Sequence, residues 1–418
     1  MWADSAVFYH IYPLGFCGAP QHNDRISVPV CRLSKILDWL PHLKQLNVNA
    51  VYLGPVFEAA GHGYDTNDYC RVDRRLGTAE TLAETVRELH QNGIRVILDG
   101  VFNHVGRGFF AFADVRRNKQ SSPYCDWFKL DFAKDNHFHD GFCYEGWDGC
   151  DDIVKLNLKN KEVQKYLLEA VSYWIKEFEI DGLRLDVAGY LNRKFLRRLH
   201  CVCLEQKPDF WLMGEMVIGN YKKIINADML HSVTNYELYK AMYSSCNRRS
   251  LGELSLALNR QFNQDIGVYK NLQLYSFLDN HDVSRIATVL KDKSLLKVLY
   301  GLLLTLPGVP SIYYGSEWGL EGCRGQGDEQ VRPCAVLQEE NDLSRHIAWW
   351  ADYRRRTPAL QTGSYIEYHV TDDILVFARR VAGQEVVVGA NIGQINHEYN
   401  LGGQKCLLPA KSISLLKY

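Results

Sequence analysis

Carboxylate side chains stand at the ends of several apolar, strand-like stretches in this sequence. Three of them, Asp186, Glu215 and Asp282, follow different stretches. If the fold brings all three together, their mutual repulsion is costly unless a reaction or a metal ion uses them. An oxocarbenium-like transition state does use such a set: one carboxylate can attack, a second can carry the proton and a third can stabilise the developing positive charge.

The spacing of Arg184 and Asp186 places both on one face of a predicted strand, because side chains alternate along a strand. Leu183 and Leu185 would then pack on helices from the other face. A guanidinium beside a carboxylate keeps it ionised, as a nucleophile requires. The same spacing also suits a structural ion pair, so these two residues alone do not decide between the two roles.

Glu215 follows an apolar strand and a glycine. In such a setting a carboxyl group can keep its proton and act as a donor. His104 and His281 stand at the ends of two other predicted strands and could donate hydrogen bonds to sugar hydroxyls. A lone histidine is usually structural, but two on the rim of one predicted site favour a binding role.

Eight predicted strands would position these segments, with helices between them. The strands are residues 7–12, 50–53, 95–98, 183–185, 210–213, 232–235, 272–278 and 311–314, and the helices are 36–46, 81–91, 162–178, 193–204, 295–306 and 342–355. Such alternation predicts an α/β fold, a parallel (β/α)8 barrel. Barrel active sites lie at the carboxyl ends of the strands, where the polar segments stand.

Two regions interrupt the alternation. Residues 105–160 are too long for a structureless loop and predict a subdomain inserted after the third strand. Short strands after Pro358 predict a small antiparallel β domain over residues 359–418. The barrel itself would then comprise residues 1–104 and 161–358.

With its polar segments in this order, the chain resembles the α-amylase family of glycoside hydrolases, family 13. Asp99, Asn103 and His104 resemble the first family motif, and residues 182–186 resemble the second. The third and fourth motifs are similar to the segments at residue 215 and residues 280–282. The resemblance implies that Asp186 is the nucleophile, Glu215 the acid/base and Asp282 the stabiliser of the transition state.

The resemblance extends over residues 6–335 and implies further contacts with the sugar. Residues 62–69 are similar to the segment whose tyrosine stacks under the sugar in the cleaved subsite, and residues 328–332 are similar to a donor-side clamp. The substrate-binding residues predicted in all are Tyr64, Asp65, His104, Arg184, Asn280, His281, Asp328 and Arg332.

Residues 122–128, 154–157 and 186–188 resemble the branch of neopullulanases, cyclomaltodextrinases and maltogenic amylases. We expect a departure from that branch in the absence of its extra N-terminal domain, which builds the usual dimer, so the oligomeric state stays open. The chain also has Gly189 and Tyr190 where secreted α-amylases carry a Lys-His pair that contacts sugars on the leaving-group side.

Three functions fit these features. The first is hydrolysis of α-1,4 bonds in maltooligosaccharides or maltodextrins, with cyclodextrins and pullulan as further candidate substrates. The second is a 4-α-glucanotransferase, in which a sugar hydroxyl replaces water. The third is a non-catalytic barrel, against which the complete set of Asp186, Glu215 and Asp282 argues.

The composition of the chain limits the kinds of partner and compartment that we expect. A net charge of −1 gives no reason to expect nucleic acid, and the most apolar stretch, residues 295–309, is too short for a membrane span. The 12 cysteines form no C-x-x-C pair. Residues 1–5 contain no basic segment before an apolar stretch, so no signal peptide is expected. These features predict reduced thiols, no zinc and a cytoplasmic location. No cofactor is required; calcium is left open, with Asn103 as an oxygen ligand.

Overall fold

Eight parallel strands form the centre of the structure, a computed structural model that describes residues 1–417. In chain order the strands are β1 (Phe8–Ile11), β2 (Ala50–Leu53), β3 (Arg95–Gly100), β4 (Gly182–Leu185), β5 (Trp211–Gly214), β6 (Ser232–Val233), β7 (Tyr275–Phe277) and β8 (Val309–Tyr313). Hydrogen bonds join them in the order β6-β5-β4-β3-β2-β1-β8-β7. A parallel bridge between Thr234 and Tyr275 connects the two outer strands. The predicted (β/α)8 barrel is therefore confirmed.

Helices follow the strands and cover the barrel. The longer ones are Ala79–Gln91, Lys161–Phe178, Arg193–Gln206, Tyr236–Arg248, Gly252–Phe262, Leu296–Thr305 and Asp342–Arg356, and the shorter ones are Pro13–Phe16, Lys35–Asp38, Leu40–Gln45, Ile286–Val289, Asp328–Val331 and Pro358–Thr362. Local chemistry sets where they begin: the Asn160 side chain accepts hydrogen bonds from the backbone N–H groups of Glu162 and Val163. Such a cap satisfies donors that the first helical turn leaves unpaired. Within residues 1–417, no helix is long and apolar enough to cross a membrane.

The helix predicted over residues 36–46 is two short helices, Lys35–Asp38 and Leu40–Gln45. The first helix ends at Trp39, whose backbone N–H donates to the backbone oxygens of Ile36 and Leu37. Pro41 explains the break, because proline has no N–H to donate back along a continuous helix and its ring crowds the preceding turn.

The two faces of the barrel strands enter two separate apolar cores. Alternate residues point inward and fill the barrel, and they include Phe8, Ala50, Tyr52, Ile97, Trp211, Met213, Tyr275, Phe277 and Val309. The intervening residues pack against the helices in a larger cluster. Because side chains fill the interior, only the ends of the barrel can hold a ligand.

The predicted insertion after the third strand is present. It contains the helix Phe110–Asn118 and two small sheets. One sheet is formed by His104–Gly106, Cys150–Lys155 and Gly146–Trp147, and the other by Leu130–Asp131 and Cys143–Tyr144. A further hairpin, Phe57–Ala59 with Thr66–Val72, follows β2. The boundaries at residues 105 and 160 stay predictions.

The predicted C-terminal β domain is also present. Its strands are β9 (Ser364–Val370), β10 (Ile374–Val381), β11 (Gln384–Asn391), β12 (His397–Leu401), β13 (Gln404–Leu408) and β14 (Ser412–Lys417). Strands β9, β10, β11 and β14 form one antiparallel sheet, and β12 pairs with β13 as a separate hairpin. Tyr418, the last residue of the predicted domain, lies outside the described residues.

Candidate active site

Arg184 lies at the centre of a buried charge network where the carboxyl ends of β3, β4 and β5 meet. The strand register places it directly opposite Asp99. Its Nη1 atom is 2.9 Å from Oδ1 of Asp99 and 2.8 Å from Oδ1 of Asp186. Its Nη2 atom is 2.9 Å from Oε1 of Glu215. One guanidinium, only 2% exposed, thus binds three carboxylates.

Two tyrosines hold Asp99 from the other side. The hydroxyl groups of Tyr52 and Tyr64 donate to its Oδ2 at 2.7 Å and 2.9 Å. The Tyr64 ring also stacks on the ring of His281, with centroids 5.4 Å apart and planes 9° apart. Asp99 therefore anchors both Arg184 and the aromatic side of the site.

Glu215 accepts hydrogen bonds from two further groups. The backbone N–H of Val187 lies 3.1 Å from its Oε2, and the hydroxyl of Tyr236 lies 3.4 Å from its Oε1. Val187 has φ = 42° and ψ = 43°, the left-handed conformation. This conformation is strained for a β-branched residue, and strain of this kind is typical of functional sites.

Asp282 is held between a histidine and an arginine. Nε2 of His281 lies 2.9 Å from its Oδ2, and Nη2 of Arg332 lies 2.9 Å from its Oδ1. Arg332 is itself fixed, since it donates to the backbone oxygen of His281 at 3.0 Å and to Asp328 at 2.6 Å. Oδ1 of Asn280 accepts a hydrogen bond from the backbone N–H of Asp282 at 2.8 Å.

The carboxylates differ in their electrostatic settings. Burial raises the pKa of Asp186 well above its usual range; Arg184 opposes the rise and Glu215 adds to it. Burial also raises the pKa of Asp282, but His281 and Arg332 outweigh that effect, and its pKa is lowered overall. Asp282 therefore stays ionised, whereas the crowded group around Asp186 tends to retain a proton.

His104 is a neutral imidazole that faces the nucleophile. Burial lowers its pKa to about 3, and His62 contributes to the same effect. Its Nε2 lies 3.7 Å from Oδ2 of Asp186, and no hydrogen-bond partner reaches it within residues 1–417. A buried ring nitrogen of this kind is available to a ligand that enters the site.

The carboxylates open into a cleft of about 990 Å³. Part of its rim is apolar: Tyr190 is 68% exposed, Val217 54% and Ile218 79%. The ring of Trp147, from the inserted subdomain, lies 4.9 Å from that of Tyr190 at 75°. Polar atoms at the floor and apolar groups at the rim suit a sugar chain, which has hydroxyl groups and apolar ring faces.

The structure brings most of the predicted site residues to this cleft. Those that line it are Tyr64, His104, Asp186, Glu215, Asp282, Asp328 and Arg332. Arg184, Asn280 and His281 lie behind them and hold them in place. Asp65 does not line the cleft. Its carboxylate accepts hydrogen bonds from the backbone N–H groups of Gly61 and Gly63 and so stabilises the loop.

Sequence reasoning missed several contributors. Tyr52 could have been predicted, because it stands two residues after Ala50 and therefore shares the inward face of β2 with it. Tyr236 begins a helix after a very short strand, and no motif marks it. Trp147 and Ile218 come from loops, for which neither periodicity nor motif gives a signal.

Asn103, the candidate oxygen ligand for calcium, follows β3 and lies beside His104. Its amide nitrogen lies 3.3 Å from Nδ1 of His104. The part of the chain that is described contains no group of three or more His, Cys, Asp or Glu side chains that could hold a metal ion. Calcium also takes amide and backbone oxygens as ligands, so calcium binding at Asn103 stays a question that the sequence raises. All 12 cysteines are free thiols.

Similarity to known proteins agrees with this geometry. Residues 10–363 match the family described as alpha amylase, catalytic domain. The chain is 32% identical over 410 residues to a cyclomaltodextrinase of Thermoanaerobacter pseudethanolicus, covering 93% of this chain and 70% of that protein. It is 30% identical to an intracellular maltogenic amylase of Bacillus subtilis, covering 96% and 70%.

Among solved structures, the cyclic alpha-maltosyl-(1→6)-maltose hydrolase from Arthrobacter globiformis matches with a TM-score of 0.88 and 28% identity. The match covers 99% of each chain. The chain therefore belongs to the α-amylase family and is a glycoside hydrolase that acts on α-glucans.

Proposed function

We propose that this enzyme cleaves α-1,4-glucosidic bonds in maltooligosaccharides with retention of anomeric configuration, through a glycosyl ester on Asp186. One observation carries the proposal: a single buried guanidinium, that of Arg184, binds both Asp186 and Glu215 at the floor of a large cleft. A guanidinium that binds both carboxyl groups keeps them on one side of the cleft, and we expect them to lie about 5–5.5 Å apart, the separation of a retaining mechanism.

In the first step, Oδ2 of Asp186 bonds to the anomeric carbon while Glu215 gives its proton to the leaving glycosidic oxygen. Within residues 1–417 this Oδ2 accepts no hydrogen bond, so its lone pairs are free. Water then attacks the anomeric carbon, Glu215 takes a proton from it, and the ester bond to Asp186 breaks. In the reactive state the single proton of the pair is on Glu215.

Asp282 has a different role because it stays ionised between His281 and Arg332. A fixed negative charge facing the sugar stabilises the positive charge of the oxocarbenium-like transition state. His104 and Tyr64 line the same floor and would contact the sugar being cleaved.

Short or cyclic dextrins are the proposed substrates. Tyr190 and the apolar side chains beside it form the rim where secreted α-amylases have a charged pair for the leaving-group side. The names of two relatives, cyclomaltodextrinase and intracellular maltogenic amylase, support this proposal. We expect kcat/KM for maltoheptaose or β-cyclodextrin to exceed that for soluble starch, per chain end, by at least about tenfold, or about 1.4 kcal/mol.

The test is to incubate the enzyme with maltotriose, maltoheptaose, β-cyclodextrin, pullulan and soluble starch, and to identify the products. NMR of the first products should show the α-anomer. First products in the β configuration would contradict retention. Equal activity on starch with random internal cleavage would contradict the preference for short dextrins.

A 4-α-glucanotransferase is the second candidate, and the exposed apolar rim favours it. Side chains such as Ile218 could hold an acceptor sugar in the place where water would otherwise attack. Maltotriose would then give mainly longer products with little net reducing sugar.

We also propose that the enzyme works in the cytoplasm on small imported α-glucans. Its free thiols fit a reducing compartment, and one relative is named intracellular. Activity recovered in the culture medium rather than with a cytoplasmic marker on cell fractionation would contradict this.

A further inference from the structure

A second groove lies in the C-terminal β domain, away from the catalytic carboxylates. It has a volume of about 310 Å³ and lies between the loop that joins β9 to β10 and the hairpin of β12 and β13. The residues that matter for the argument are His369, Asp373, Ile374, His397, Tyr399 and Leu408. None of them belongs to the catalytic cleft.

The floor of the groove is apolar. Ile374 and Leu408 are buried members of the small apolar cluster of this domain, and Tyr399 packs against that cluster. The ring of His369 lies 5.7 Å from that of Tyr399, with 36° between their planes. Ring faces beside an apolar floor provide the surface on which the C–H face of a pyranose ring packs.

Two polar groups of the groove have no protein partner. Nε2 of His397 is buried and makes no hydrogen bond within residues 1–417. Across the same described range, the carboxylate of Asp373 neither forms an ion pair nor accepts a hydrogen bond. Its acidic neighbours are engaged: Asp372 accepts from Ser250 at 2.7 Å, and Glu398 pairs with Lys405 at 3.1 Å. Unpaired polar groups in a native structure call for a ligand or solvent to satisfy them.

The charge of the groove restricts the ligand. Asp372, Asp373 and Glu398 line it, so a phosphate or another anion would be repelled. No metal-binding set of side chains exists among the residues described. A neutral polyol remains, because its hydroxyl groups can donate to a carboxylate and bond to an imidazole. The volume is near the lower end of the range for small-molecule sites, roughly 300–1,000 Å³.

We propose that this groove is a second α-glucan site, in which a glucose unit packs on Tyr399 and forms hydrogen bonds with Asp373 and His397. The choice of glucan rests on the proposed function, since it is the substrate class of the cleft. A chain bound there would be kept at the enzyme surface without being cleaved. The effect should therefore appear with long glucans and vanish with maltotriose.

The experiment compares Tyr399→Ala and Asp373→Ala with wild type and with Leu407→Ala. Leu407 is an exposed residue of the same hairpin that does not line the groove, so it is the matched control. Electrophoresis in native gels containing soluble glycogen measures binding to a long glucan. We expect each groove variant to bind about fivefold more weakly, while Leu407→Ala binds as wild type does.

Hydrolysis of maltotriose separates the two proposals. The groove variants should keep wild-type kcat/KM on maltotriose, because the cleft is untouched. Unchanged mobility of both variants in glycogen gels would overturn the second site, whatever the enzyme does to maltotriose. Failure of wild type to cleave any dextrin would overturn the proposed function instead. If Tyr399→Ala fails to fold, Asp373→Ala, which removes a half-exposed side chain, decides the matter.

Discussion

At the floor of the cleft every catalytic carboxylate has a charged or hydrogen-bonding partner, whereas at the rim large apolar side chains stand in water. Arg184 is 2% exposed and binds three carboxylates; Ile218 is 79% exposed and lines the cleft mouth. The two regions belong to one cleft and face opposite physical demands.

The floor is costly to build and costly to disturb. Removing one partner from a buried charge network leaves an uncompensated charge, a loss of about 3–5 kcal/mol. The rim contributes little to folding, because exposed apolar groups lose no contact with water when the chain folds. Loss of the guanidinium at the floor should therefore lower both activity and stability. Neutralising the crowded carboxylate of Asp186 should lower activity alone, and changes at the rim should affect only the handling of substrate.

The largest effect is expected for Asp186→Asn. An amide cannot form the glycosyl ester, so kcat should fall by about 10⁴-fold or more, while thermal melting stays close to that of wild type or rises. Product release from maltoheptaose and the melting temperature should be measured on one preparation. Substantial residual turnover in a pure sample would mean that another residue attacks.

Arg184→Lys should have the next largest effect. Lysine keeps the charge but lacks the planar fork that reaches Asp99, Asp186 and Glu215 at once. Misplaced carboxylates should lower kcat/KM by about 10²-fold, and the melting temperature should fall as well. Arg95→Lys, at a partly exposed arginine outside the cleft, is the control. Loss of activity without loss of stability would contradict the dual role argued for this guanidinium.

The raised pKa of Asp186 predicts two pH effects. Activity should fall as pH drops through that pKa, because the protonated nucleophile cannot attack. Stability should change in the opposite sense: the folded state prefers the neutral carboxyl, so wild type loses stability as pH rises from the usual value of 3.8 through the raised pKa. Asp186→Asn has no such group, so its stability advantage over wild type should grow over the same pH window. A constant difference in the free energy of unfolding between the two would contradict the raised pKa.

The same division explains what the sequence could predict. Strand alternation placed Arg184 and Asp186 on one face, and the motifs identified the side chains of the floor, because strands and their ends obey regular geometry. Asp65 is predicted to bind substrate, and its carboxylate also accepts hydrogen bonds from backbone N–H groups of its own loop, which no motif indicated. Loop conformation decides such a case, and no periodicity encodes it. The helix that begins at Tyr236 was also not predicted, and it follows β6, which is only two residues long.

The smallest effect is expected at the rim, for Ile218→Ser. A sugar acceptor that packs on this side chain covers its apolar surface. In the serine variant much of that contact would be lost, which should weaken acceptor binding by about 1 kcal/mol, or roughly fivefold in affinity. Water needs no such contact, so the ratio of transfer to hydrolysis products from maltotriose should fall by a similar factor while the melting temperature is unchanged. Ile266→Ser is the matched control, because Ile266 is also 79% exposed but does not line the cleft. If both variants keep the wild-type product ratio, the apolar rim does not hold the acceptor, and the division of labour between floor and rim fails at the rim.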